Sequence, residues 1–376
     1  MAKRFAPFLW ICTYLVISDI AINIIFSYPK DPRNISPSKI QQFFEYGRSI
    51  EGKLARMTRK EIDESAPIVA SGWLEGSPKR FLSKNTDSEN SPVVTIYGMS
   101  HAGMLAEDMA KIDDSLTLRF KGAAGAVPTW AYAAYLYDKD RYHSDVVILG
   151  LQTDGVALIS TTSGVTRQID AVYPYTYPRF FLNNGTLRYE SPPFISFKDY
   201  IEYFYNSEKW KAYVKWLGEY DKFYNPVLFK KTILDNSGIF RMLRRAYAYS
   251  AQRKKGAEVY SDTKGFNVES DEVKILQSLL VEFSQNAKLH KSLPIIYIVN
   301  NAFTGDRLFR LLEPILLSNN ILFLSTHVIC PPNDLRSFLP NDTHFIQSKN
   351  LELSKEMIKI IRDNLPPSTL KEETKK

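Results

Sequence analysis

Short apolar runs alternate with helical patterns through most of this chain, and that alternation leaves few architectures open. The runs at 93–97, 116–120, 146–149, 295–299 and 321–324 are largely apolar or β-branched and are bounded by Gly, Pro, Asn or charge. They have the length of strands and are mostly apolar, as strands covered on both faces tend to be. Between most of them lie helical spacings at 103–112, 130–137, 271–290 and 307–317, and a closing helix is expected at 348–362. Strands separated by helices in this way predict a three-layer α/β/α domain around a central parallel sheet of about five strands. The working site of such a sheet lies at the carboxyl ends of its strands.

Residues 161–265 interrupt the alternation and are expected to form an inserted aromatic and basic subdomain. Within it, Asn184-Gly185 between apolar runs is a type I′ hairpin signal. From Arg241 to Lys255 there are six basic residues and no acidic one. That stretch reads as a solvated helix face or as a contact for anionic lipid headgroups or a charged glycan. The α/β domain itself is then split over 91–160 and 266–363, with a disordered tail at 364–376.

The N-terminus carries the topological signal. Lys3 and Arg4 precede a largely apolar stretch from Phe5 to Tyr28, long enough to cross ~30 Å of hydrocarbon as a helix. It exceeds the h-region of a signal peptide, and no small-residue cleavage site follows. The expectation is a single-pass anchor over residues 1–30, N-terminus in the cytoplasm and the main domain on the extracytoplasmic side. Asp19 lies inside the span, where a charge is costly; it must pair with a partner helix, stay protonated or sit on a hydrated face. Apolar residues Ile40, Phe43, Phe44, Ile50, Leu54 and Met57 then predict a juxtamembrane helix within 31–90, capped by Ser36 or Ser38. The net charge of +7 is spread along the chain, so no nucleic-acid partner is expected. Cys12 and Cys330 fall at opposite ends and predict no disulfide. The five histidines are scattered without ligand spacing, so neither metal nor other cofactor is expected.

Two short stretches carry candidate chemistry. At the end of the first core run, Gly98-Met99-Ser100 sets a serine on the turn entering a helix. Such a serine is either the N-cap of that helix or a nucleophile beside first-turn N–H groups that stabilise an oxyanion. Near the other end, Asp342-Thr343-His344 precedes the closing helix. Loops that follow strand ends gather on one rim, so His344 can meet Ser100 as its base and Asp342 can fix the imidazole tautomer. His101 is read as a solvent-facing first-turn residue or a substrate contact. Asn300 and Asn301, at a strand end, form a turn or contact substrate. His327 is a rim or core histidine or a rival base, and His143 and His290 are surface residues.

Taken together, the chain resembles the SGNH (GDSL-type) hydrolases. The resemblance rests on Gly98-Met99-Ser100 after the first strand, Gly122 after the second, the Gly150–Gly155 turn "GLQTDG" after the third, and Asp342 and His344 before a closing helix. It spans residues ~93 to ~363 apart from the insertion. The family implies an SGNH/flavodoxin-like fold with Ser100 as nucleophile, His344 as general base and Asp342 as its orienting acid. It also implies an oxyanion hole from the Ser100 and Gly122 N–H groups and the Gln152 amide. Gly125 is a rival for Gly122, and Asp154 for the orienting acid. Met99 stands where the family has Asp, Gln152 where it has Asn, and Asp342 lies two rather than three residues before the histidine. The D-T-H form is similar to that of SGNH-like alginate O-acetylation proteins. The implied activity is an esterase or deacetylase on an O-acylated envelope or exported polysaccharide. A polysaccharide O-acetyltransferase using the same site, or a non-catalytic binding subunit of a polysaccharide assembly, are the alternatives.

Overall fold

The computed structural model describes residues 2–29, 36–58, 72–82, 91–170, 173–340 and 342–365. Parts of the 31–90 segment, at 59–71 and 83–90, and nearly all of the tail expected to be disordered lie outside the described residues. The chain divides into two compact units, each built from three separate segments.

The larger unit (72–160, 177–196 and 256–376) contains the α/β domain. Its sheet has the five expected strands: β2 (Val93–Gly98), β3 (Thr117–Gly122), β4 (Val146–Gln152), β9 (Leu293–Val299) and β10 (Leu322–Ser325). These five are parallel. A sixth strand, β1 (Lys79–Phe81), pairs antiparallel with β3 at the edge, so the sheet is mixed and six-stranded rather than parallel and five-stranded. The order β1-β3-β2-β4-β9-β10 places β2 between β3 and β4. Counting the parallel strands alone, that is the 2-1-3-4-5 order of a doubly wound sheet, whose direction of winding reverses between β2 and β4. The carboxyl ends of those two strands therefore border a crevice.

Five helices, α4 (Ser100–Ile112), α5 (Pro128–Asp138), α11 (Asp271–Leu289), α12 (Arg307–Ser318) and α13 (Gln347–Asn364), cover the sheet. A side chain built on Gly150 of β4 would meet Ala102 of α4, so that face of the sheet carries α4 and its neighbour α13. Tyr97 points to the opposite face, where its ring meets Tyr135 of α5 edge-on at 5.9 Å, and α11 packs behind. Ile96, Ile148, Leu149, Ile296 and Ile298 are fully buried, as strands covered on both sides require. Strands β5 (Arg179–Asn183) and β6 (Thr186–Glu190) form the expected hairpin, with Asn184 and Gly185 both at positive φ. A short pair, β7 (Tyr260–Ser261) and β8 (Gly265–Phe266), and one helical turn, α6 (Thr153–Val156), complete the unit.

The smaller unit (1–71, 161–176 and 197–255) is helical. Helix α1 (Ala2–Ile25) contains an apolar stretch, Pro7–Ile25, of mean hydropathy 2.0 and long enough to cross a membrane. The expected juxtamembrane helix is broken into α2 (Lys39–Tyr46) and α3 (Ile50–Met57). Ser38 caps the first through a reciprocal bond with Gln41, and Ser49 caps the second. The break falls at Gly47, where any side chain would overlap the Arg241 carbonyl. Helices α7 (Phe197–Tyr205), α8 (Ser207–Tyr220), α9 (Pro226–Phe229) and α10 (Gly238–Ala257) complete the unit. Tyr200, Phe204, Trp210, Tyr213 and Phe229 form its aromatic centre.

Candidate active site

Strand β2 ends at Gly98 and α4 begins two residues later. A Cβ on Gly98 would lie 3.0 Å from the Ala102 Cβ and 3.2 Å from the Gly150 Cα, so glycine lets the helix start close against the sheet. The N-cap of α4 is Met99, which makes no side-chain capping bond. Ser100 is therefore the first helical residue, and its exposed hydroxyl is not spent as a cap. The first intrahelical bond runs from the Gly103 N–H to the Met99 carbonyl at 3.1 Å, which leaves the Ser100, His101 and Ala102 N–H groups without helical acceptors.

His344 arrives on a closed loop at the start of α13. The Leu339 N–H bonds the His344 carbonyl at 2.8 Å, the Asp342 N–H bonds the Leu339 carbonyl at 3.1 Å, and Phe338 pairs with Phe345. Helix α13 is locked onto α4 by Gln347, whose amide donates to Asp108, by the Ser354 hydroxyl on the Leu105 carbonyl, and by Arg362 on Asp113. The result brings residues 244 positions apart into contact: Ser100 Oγ lies 2.7 Å from His344 Nε2. His344 Nδ1 is 2.7 Å from Asp342 Oδ1, which also accepts the His344 backbone N–H at 3.1 Å. Since the carboxylate can only accept, Nδ1 carries the proton and Nε2 is free to accept from the serine. The His344 bond holds the Asp342 carboxyl below the usual carboxylate range.

Neither a family model, nor a curated protein, nor a solved structure matches this chain.

His101 is 2% exposed instead of solvent-facing. Its ring stacks on that of His344, centroids 4.5 Å apart and planes 12° from parallel, and meets Phe345 edge-on. Its Nε2 lies 3.0 Å from the Thr343 carbonyl, an acceptor, so Nε2–H donates and Nδ1 is left as a buried lone pair with no partner among the described residues. Burial pushes the His101 imidazole down to about 4, so it is neutral at neutral pH. A neutral ring beneath His344 adds no like charge when His344 takes up a proton. Helical spacing could have found this role, because 101, 105 and 109 share the face that carries buried Leu105 and Met109.

The expected oxyanion-hole residues sit around the same crevice. Gly122 lies beside Gly98 in register at the end of β3, where a Cβ would overlap the Phe120 ring and stand 2.9 Å from the Gly98 carbonyl. Gln152 ends β4, two residues beyond Gly150, so its side chain leaves the sheet on the α4 face. It is half-exposed, and its amide has no hydrogen-bond partner among the described residues. Gly125 lies in the turn after β3 with φ 57°. Asp154 faces the Asn301 side chain, and the carboxylate that meets His344 is that of Asp342.

Asn300 and Asn301, considered as substrate contacts, are both fully buried and have other partners. The Asn300 amide donates to Ser325 Oγ, and Asn301 Oδ1 accepts from the Phe303 and Thr304 N–H groups and organises the turn after β9. His327 is a half-buried rim residue: its Nδ1 bonds Ser325 and its ring packs on Phe309. His143 and His290 pair with Asp145 and Asp140 near the opposite ends of the strands.

Proposed function

We propose that the α/β unit is an SGNH-type serine esterase that works through an acyl-enzyme. The supporting observation is the run of two 2.7 Å contacts from Ser100 through His344 to Asp342, at the strand ends bordering the sheet's crevice. His344 Nε2 removes the Ser100 proton as Oγ bonds to the ester carbonyl carbon. The negative charge that develops on the carbonyl oxygen meets the free first-turn N–H of Ser100, with the Gly122 N–H and Gln152 amide as further donors. Collapse of the tetrahedral species breaks the carbon–alkoxy bond, and the imidazolium returns its proton to the leaving alkoxide. Water, deprotonated by the same imidazole, then releases the acid and frees Ser100. Asp342 stabilises the imidazolium in both halves.

The substrate class is an O-acylated envelope or exported polysaccharide. Ser100 is exposed and the Asp342 side chain is 45% exposed, an open arrangement that admits an ester carried on a bulky polymer. In this reading α1 holds the protein at the membrane with the catalytic unit on the extracytoplasmic side. The same openness admits a sugar hydroxyl in place of water, which would make the product an acylated glycan.

A fluorophosphonate probe tests the reading. Wild type is expected to be labelled, and Ser100→Ala and His344→Ala to lose labelling and ester hydrolysis by at least about 10³-fold. Unlabelled wild type, or equal labelling of Ser100→Ala, overturns it. Supplying an acetyl donor with a glycan separates the two acceptors: free acetate marks the hydrolase, acetylated glycan the transferase.

A further inference from the structure

Helix α10 is turned inside out relative to its composition. Of the basic residues in its first half, Arg241 and Arg244 are buried, and Arg245 is half-buried. Arg241 donates to the Asp235 carbonyl and to Asn23 Oδ1, Arg244 pairs with the Asp235 carboxylate, and Arg245 grips Asp170 with two bonds. The face left outside is apolar. Met242 is 40%, Leu243 62% and Tyr247 48% exposed, and with Ala246 they follow helical spacing as one stripe. The 3-10 turn just before the helix adds Ile233 and Leu234, 83% and 45% exposed. A contiguous apolar stripe of this kind marks an interaction surface.

What it meets is indicated by where it starts. Asp19 of α1 accepts the Ile239 N–H at 2.9 Å and the Ser237 hydroxyl at 3.1 Å, and so caps the start of α10. Gly238 packs so tightly on Ile22 that a Cβ there would stand 2.6 Å from it. All these α1 residues lie inside the apolar stretch Pro7–Ile25. Six residues of helix separate Asp19 from Ile25, about 9 Å of rise, so α10 begins at a depth that belongs to the bilayer if α1 spans it. Exposed Lys230 and Lys231 stand before the stripe and Arg253 and Lys254 after it, as headgroup contacts at both ends would require.

We propose that α10 is an interfacial helix whose outer stripe, with Ile233 and Leu234, lies in the headgroup–acyl boundary of the bilayer that α1 enters. The inference rests on α1 being embedded and is independent of the chemistry at Ser100. It is tested with the full chain in phosphatidylcholine–phosphatidylglycerol vesicles, labelled at single cysteines with an environment-sensitive fluorophore. Leu243→Cys is compared with Glu219→Cys, an exposed position on α8, both with Cys12 replaced by Ala. Cys330 is fully buried and can stay. A label on native Cys12 reports α1. The expected result is that labels at 243 and at 12 are quenched by nitroxides on the lipid chains, while 243 is several-fold less open to aqueous iodide than 219. A label at 243 as open to iodide as that at 219, with Cys12 lipid-quenched, overturns the interfacial helix and leaves the anchor standing. A label shielded from iodide yet untouched by lipid nitroxides means that protein covers the stripe, and also overturns it. If Cys12 itself escapes lipid quenching, both the anchor and the inference fall.

Discussion

His101 packs its neutral ring against the imidazole that abstracts the serine proton in the proposed mechanism. As a positioning residue it ties the Thr343 carbonyl, and through it the D-T-H loop, to the helix that carries Ser100. Replacing it with Phe keeps a ring in the stack but removes the donor, so kcat is expected to fall about ten- to a hundred-fold with KM little changed. The same residue sets a pH dependence. Below the ordinary histidine value of ~6.5 the unfolded chain takes up a proton that the folded ring refuses until about pH 4, so the folded state loses stability as pH falls through that window. The loss approaches about 3 kcal/mol at the bottom of the window. Burial raises Asp138 to about 6, which works in the opposite direction over part of the range. The informative quantity is therefore the wild-type stability minus that of His101→Phe, measured by urea unfolding from pH 7 to 4. It should shrink steadily on acidification, and a flat difference would remove His101 from this role. Asp342, held low, acts only below the ordinary carboxylate value and leaves the window clear.

The meeting of β2, β4 and α4 depends on residues without side chains. Gly98→Ala would set a methyl against the Gly150 backbone and the Ala102 methyl, so α4 must shift outward. The expected cost is about 1–3 kcal/mol of stability, with a larger proportional loss in fluorophosphonate labelling because Ser100 moves with the helix. Urea unfolding and labelling rates, read together, check both halves. Strands such as β4, with neighbouring Ile148 and Leu149 both fully buried, were legible in sequence because a strand covered on both sides is apolar on both faces. Strand β1 was not, since two of its three residues are cations that face solvent at the sheet's edge. Ser100, His344 and Asp342 could be brought together from chain order alone, because loops after parallel strands share a rim. His101, read as solvent-facing or a substrate contact, is buried instead because a first-turn residue on the 101, 105, 109 face of α4 meets the D-T-H loop from the far end of the chain. Charge likewise suggests an outward face for the arginines of α10, yet Asp235 just before the helix, and Asp170 and Asn23 from remote parts of the chain, hold them inward.

Across the whole molecule the chain passes between its two units five times, at 71/72, 160/161, 176/177, 196/197 and 255/256. The interruption seen in the sequence is thus not one block: its hairpin, β5 and β6, belongs to the α/β unit, and 161–176 and 197–255 join α1 to α3 in the helical unit. With its apolar N-terminal helix, the full chain is expected to remain with membranes through high-salt and carbonate washes, since neither treatment removes a spanning helix. External protease on intact cells should degrade the α/β unit if it lies outside. Complete protection there, with degradation in inverted vesicles, would reverse the orientation.

The 244 positions between Ser100 and His344 also bear on timing. A ribosome delivers Ser100 long before His344, its base in the proposed mechanism, and α13, which follows the His344 loop and packs on α4, comes later still. Until that helix docks on α4, the nascent chain carries an ordinary alcohol. In the proposed mechanism any reactivity that depends on the pair must wait for synthesis of the C-terminal segment, and a product terminated before His344 would lack it.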